Sequence, residues 1–157
     1  MKHRSLAVCA AVALMASTAA QAQTEIQWWH AMSGPLGEWV NDLAKQYNES
    51  QKEYKVVPTF KGTYDENMTA AIAAFRAGNA PHILQVYEVG TATMMAAKTA
   101  VKPVGEVMQQ AKAKFDPKAY IPAVAGYYTA PNGQMLSFPF NSSTTVFYIN
   151  KDAFKAA

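Results

Sequence analysis

Apolar and polar positions along the chain switch between two periods, and the switches mark successive elements. Ile26 to His30 is a short apolar-aromatic run that predicts a strand. Ser33-Gly34-Pro35 interrupts it, with the proline suited to the first turn of a helix. Leu36, Trp39, Val40, Leu43 and Tyr47 then recur at helical spacing and predict an amphipathic helix, ended by the polar run from Asn48 to Lys52. Tyr54 to Phe60 predicts a second strand, and Lys61-Gly62 a turn. Thr63 and Glu66 have capping-box spacing ahead of a helix whose stripe is Met68, Ala71, Ile72 and Phe75. Gly78 stops that helix and Pro81 prevents its resumption.

His82 to Tyr87 predicts a third strand running into Glu88-Val89-Gly90, with an Ala- and Met-rich helix from about Thr91 to Ala100. Lys102 to Tyr128 predicts two short helices broken at Phe115-Asp116-Pro117. Met135–Phe140 and Thr144–Ile149 read as extended segments around Asn141-Ser142-Ser143, and Asn150-Lys151-Asp152 opens a final helix. The alternation of strand and helix, with strands too buried to alternate cleanly, indicates an α/β layer fold with a largely parallel sheet. The last helix is only begun when the sequence stops at Ala157, so the chain is expected to be an incomplete domain with apolar faces uncovered.

Residues 1–22 change the picture of composition. Lys2, His3 and Arg4, the apolar run from Leu6 to Met15, and Ala20-Gln21-Ala22 follow the order of a cleavable secretory signal. The apolar run is too short to span the roughly 30 Å of a bilayer core, so no stable membrane insertion is expected. Without this segment 12 basic residues face 11 acidic ones, and Arg76 is the one remaining arginine. That balance excludes the concentrated basic patch of a nucleic-acid-binding protein. Cys9 lies within the signal, so the exported chain lacks disulfides, thiolate nucleophiles and cysteine zinc ligands.

Candidate chemistry is correspondingly sparse. No phosphate-binding glycine loop, dinucleotide fingerprint, H-E-x-x-H or G-x-S-x-G motif is present. His30 and His82 are the only histidines after the signal, a poor basis for a metal site or a catalytic triad. In open α/β sheets ligands collect beyond the carboxyl ends of strands. Three such loops are expected here: 29–34, 61–64 and 87–90. Trp28 and Trp29 are adjacent on a strand and face opposite sides, one for the core and one for a cleft. His30 suits either a ligand contact or a hydrogen bond to local backbone, and Tyr64 either an outward hydroxyl or a partly buried aromatic. Glu88 suits a ligand hydroxyl as partner, because an ionised carboxylate is costly to desolvate alone; it also suits a solvated loop or a helix start. Asn141 to Thr144 offers hydroxyls and backbone N–H groups for an oxyanion, or forms an ordinary turn.

Longer stretches carry a resemblance. Ile26–His30, Tyr54–Gly62, Ala71–Pro81, Gln85–Met95 and Pro139–Ser143 closely resemble the glycerol-3-phosphate receptors of the extracellular solute-binding family, which also includes the maltose-binding proteins. Tyr148–Phe154 is generic to the wider family. The resemblance implies an N-terminal α/β lobe of a two-lobe periplasmic-binding-protein fold over residues 23–140, with a hinge crossing and the start of a second lobe at 141–157. It implies a periplasmic receptor that captures sn-glycerol 3-phosphate, with glycerophosphodiesters as further candidates, for the membrane permease subunits of an ABC importer. No cofactor, metal or catalysed reaction is implied. Ligand contacts carried over by position are Tyr64, Glu88 and Ser143; the reading of the loops adds Trp29, His30 and Ser142 as candidate cleft lining. The rival expectations are a receptor of the same fold for a sugar or oligosaccharide, and a secreted phosphodiester hydrolase.

Overall fold

The computed structural model describes residues 23–97 and 99–157. The expected signal segment, with Cys9, lies outside them. The chain divides into two compact units, one ending at Gln85 and the other beginning at Val86.

The first unit is built on a parallel three-stranded sheet in the order β2-β1-β3. β1 (Thr24–His30) pairs with β2 (Tyr54–Phe60) along its whole length, from Thr24 opposite Tyr54 to His30 opposite Phe60. β3 is only Ile83–Leu84, opposite Trp28 and Trp29. The strand expected to reach Tyr87 is therefore corrected. It ends where β1 runs out: the next amide, Ala31 N–H, donates to the Gln85 side chain at 3.0 Å and not to a backbone carbonyl. A side chain has taken the place of the ladder.

α1 (Gly34–Ser50) begins at the expected Pro35 turn. Its buried line is Gly37, Val40 and Ala44, while Leu36, Trp39 and Tyr47 of the anticipated stripe are exposed. The cause is a close approach at Gly37, where a Cβ would come within 2.9 Å of the Met32 carbonyl oxygen. Only a residue without a side chain lets the helix start so near that backbone, and this rotates the small-residue line inward. At its far end Asn48 donates to the Val56 carbonyl at 2.9 Å and accepts from Val56 N–H at 2.7 Å. Those bonds satisfy backbone groups of β2, an edge strand that also carries Pro58, a residue edges tolerate.

α2 (Tyr64–Arg76) starts on the capping box read from the sequence. Thr63 N–H donates to Glu66 Oε2 at 2.7 Å, and Glu66 N–H donates to Thr63 Oγ1 at 3.3 Å. Gly62 precedes it at φ +86°, a left-handed conformation that favours glycine. Ala71 of the expected stripe is buried, but Phe75 is exposed and the most enclosed residue of the helix is Asn67.

The second unit is a set of short helices. α3 (Glu88–Ala96) begins three residues earlier than expected. Thr91, whose chemistry suits a helix cap, lies inside it and donates from Oγ1 to the Tyr87 carbonyl at 3.0 Å. α4 (Val104–Gln110) and α5 (Pro122–Tyr127) are the two anticipated short helices. A 3-10 turn, Pro117–Ala119, lies between them, and the Asp116 carboxylate caps it by accepting from Lys118 N–H at 2.9 Å. Val104, Tyr128 and Met135 form the buried apolar centre. α6 (Lys151–Ala156) is capped by Asn150, whose Oδ1 accepts from Asp152 and Ala153 N–H at 3.0 Å each. The stretch 144–149 is in no ladder among the described residues, and Phe147 and Tyr148 are both 91% exposed.

Candidate functional site

In the first unit the carboxyl ends of β1 and β2 bring several candidate residues to one edge of the sheet. His30 closes β1 and is 2% exposed. Its Nδ1 accepts from Met32 N–H at 3.3 Å, so the histidine does bond local backbone. Its ring stands 6.0 Å from Trp28 and 6.1 Å from Phe60. Burial holds its pKa below the ordinary histidine value. An open groove between β1, β2 and the start of α1 is lined by His30, Ser33, Gly37, Glu38, Asn41 and Phe60.

Trp29 points to the opposite face from Trp28, as expected from strand geometry. Its ring lies under the Lys61 ammonium, 3.9 Å from the centroid, a cation–π contact. Tyr64 is the first residue of α2 and is half-buried. The capping box beside it fixes where that helix starts, and Glu66 is held below the usual carboxylate range by the hydrogen bonds it receives from Thr63.

In the second unit Glu88 opens α3, and its carboxylate accepts from Ser143 N–H at 3.5 Å, the long limit of a hydrogen bond. Two of the three principal candidates are thus neighbours although 55 residues separate them. The expectation that Glu88 ends a strand is corrected: it is a first-turn acid of a helix, where the positive end of the helix dipole favours its charge. The Tyr127 hydroxyl donates to the Glu88 carbonyl at 2.8 Å and braces the same residue from α5. Ser142 and Ser143 are exposed in a segment without regular structure. Among the described residues no group of three or more His, Cys, Asp or Glu side chains is placed to hold a metal ion. No helix among them is long and apolar enough to cross a membrane.

Sequence reasoning missed Asn67, Gln85 and Lys61. Asn67 stands four residues before Ala71, inside the buried face of α2, and a polar residue in that line was the available signal. Nothing local marks Gln85, and Lys61 is marked only as part of the 61–64 loop, because their partners come from distant segments.

Residues 33–157 match the bacterial extracellular solute-binding protein family. The chain belongs to that family. Among curated solute-binding relatives it is 58% identical over 155 residues to the sn-glycerol-3-phosphate-binding periplasmic protein UgpB of Pectobacterium atrosepticum, a match covering 98% of this chain and 34% of the relative. The protein of the same name from Yersinia enterocolitica is 56% identical over 98% of this chain and 35% of its own length. That from Brucella suis is 51% identical over 96% of this chain and again 35% of the relative. The chain therefore spans about a third of the length of the curated relatives it matches. Its parallel sheet with flanking helices agrees with part of a solute-binding lobe.

Proposed function

We propose that the chain is the N-terminal part of a periplasmic receptor that captures sn-glycerol 3-phosphate without chemical change and delivers it to the permease subunits of an ABC importer. The observation that carries this reading is identity of 51–58% over nearly the whole chain to relatives named for that ligand. Residues 1–22 direct export and are removed, residues 23–140 form the first lobe, and 141–157 make the crossing to the second. Closure of two lobes buries the ligand and creates the shape that the permease recognises.

Tyr64, Glu88 and Ser143 are this part's ligand contacts in the proposal. Glu88 accepts hydrogen bonds from the glycerol hydroxyls, because a carboxylate repels a phosphate at close range where water is excluded. Ser143 donates from its hydroxyl to a phosphate oxygen, and Tyr64 fixes the polyol end. The Glu88 carboxylate accepts from Ser143 N–H at 3.5 Å, which supports a common site for these two residues. Trp29, His30 and Ser142 complete the lining.

Titration calorimetry on the full-length protein tests the reading. Heat with glycerol 3-phosphate, and a weaker or absent response with maltose, is the expected result. Binding of maltose with no response to glycerol 3-phosphate overturns it in favour of a sugar receptor, and glycerophosphodiesters in the same titration define the breadth of the site.

A further inference from the structure

Part of the interior of the first unit is polar where packing alone calls for apolar side chains. Asn67 is 0% exposed, one turn into α2, and its Nδ2 donates to the Gln85 carbonyl at 2.9 Å. Gln85 is itself buried, donates from its backbone N–H to the Trp29 carbonyl at 2.9 Å, and accepts from Ala31 N–H on Oε1 at 3.0 Å. One continuous chain of hydrogen bonds therefore joins the first turn of α2, the end of β3 and the residue that follows β1. It leaves two atoms unpaired, Asn67 Oδ1 and Gln85 Nε2, both shielded from solvent. A donor and an acceptor buried without partners cost stability.

We infer that Asn67 and Gln85 are positioning residues for ligand binding: they fix the β1 and β3 ends and the start of α2 relative to one another, and so set the place of Tyr64. The inference rests on the proposed function, in which Tyr64 touches the ligand. Tyr64 and Asn67 are three residues apart on α2, on neighbouring positions of one helix face. Any shift of that turn against β3 carries the tyrosine with it. Gln85 acts in the same way on Ala31, where the loop that follows Trp29 and His30 leaves the sheet. Small displacements of a binding group lose affinity steeply, so a clamp that costs stability is retained for geometry.

The test is the pair of substitutions Asn67→Leu and Gln85→Met in the full-length protein. Both orphaned atoms disappear, but the residue-85 carbonyl and the Ala31 N–H lose their partners in exchange, so the melting temperature is expected to fall moderately without loss of the fold. Affinity for glycerol 3-phosphate, measured by calorimetry well below the melting transition, is expected to fall by about tenfold or more. The Ala31 amide should exchange faster with solvent deuterium. A double variant that binds within twofold of the unsubstituted protein overturns the inference and leaves the proposed function standing. An unsubstituted full-length protein that does not bind glycerol 3-phosphate overturns the proposed function, and the inference with it. Should the double variant not fold, Gln85→Met alone decides by the same comparison, because it releases Ala31 while Asn67 keeps its bond to the residue-85 carbonyl.

Discussion

Replacing Glu88 with glutamine keeps the length of the side chain and one acceptor but removes the charge that strengthens its hydrogen bonds about twofold. In the full-length protein this change is expected to weaken glycerol 3-phosphate binding by about 1.5–3 kcal/mol, read by calorimetry. Tighter binding would place the carboxylate beside the phosphate and reverse the proposed orientation. His30 offers a test that needs no ligand. Its folded-state pKa lies below the unfolded value because burial disfavours the imidazolium. The unfolded chain therefore binds the extra proton more readily, and stability falls as pH drops below about 6.5, the ordinary histidine value. Thermal melts of the unsubstituted protein between pH 7.5 and 5 should decline more than those of His30→Gln. Equal declines in the two proteins would show that His30 protonates freely in the fold.

At the scale of elements, α1 is placed by one contact that a substitution can probe. Gly37→Ala gains helix propensity, worth about 0.5–1 kcal/mol. It also drives a Cβ to 2.9 Å from the Met32 carbonyl oxygen, a backbone atom that cannot swing aside. Overpacking of this kind costs about 1–3 kcal/mol, so the steric term wins and the urea midpoint should fall. An unchanged or raised midpoint would mean that α1 slides on the sheet without penalty. Thr63→Ala removes half of the capping box of α2 and should cost about 1 kcal/mol in the same assay. If that helix positions Tyr64, the substitution should also weaken binding, which a cap serving stability alone would leave unchanged.

Over the whole molecule, protection is expected to follow the distribution of paired backbone. β1 is bonded on both sides, to β2 and β3, so the amides from Trp28 to His30 should exchange slowest. Residues 144–149 belong to no ladder among the described residues, and their side chains are exposed, so their amides should exchange fastest. Slow exchange across 144–149 in the 157-residue chain would contradict this ranking.

Local chemistry made much of this architecture legible in the chain. β1, β2, the Pro35 turn, the Thr63–Glu66 box and the Asn150 cap rest on residues within a few positions of one another, and each forms as its local pattern requires. The family was legible too, because long stretches such as Gln85–Met95 and Pro139–Ser143 stand in the sequence unbroken. Tertiary structure decided what depends on distant partners. It set the end of β3 by a bond from Ala31 to Gln85, the buried face of α1 by the approach to Met32, and the neighbourhood of Glu88 by Ser143. Those outcomes turn on which segments come together in space. Periodicity records which residues prefer burial and cannot say which donor meets which acceptor. The buried, half-satisfied pair Asn67 and Gln85 is the sharpest case: each is an ordinary polar residue in the sequence, and only the fold gives them a shared task.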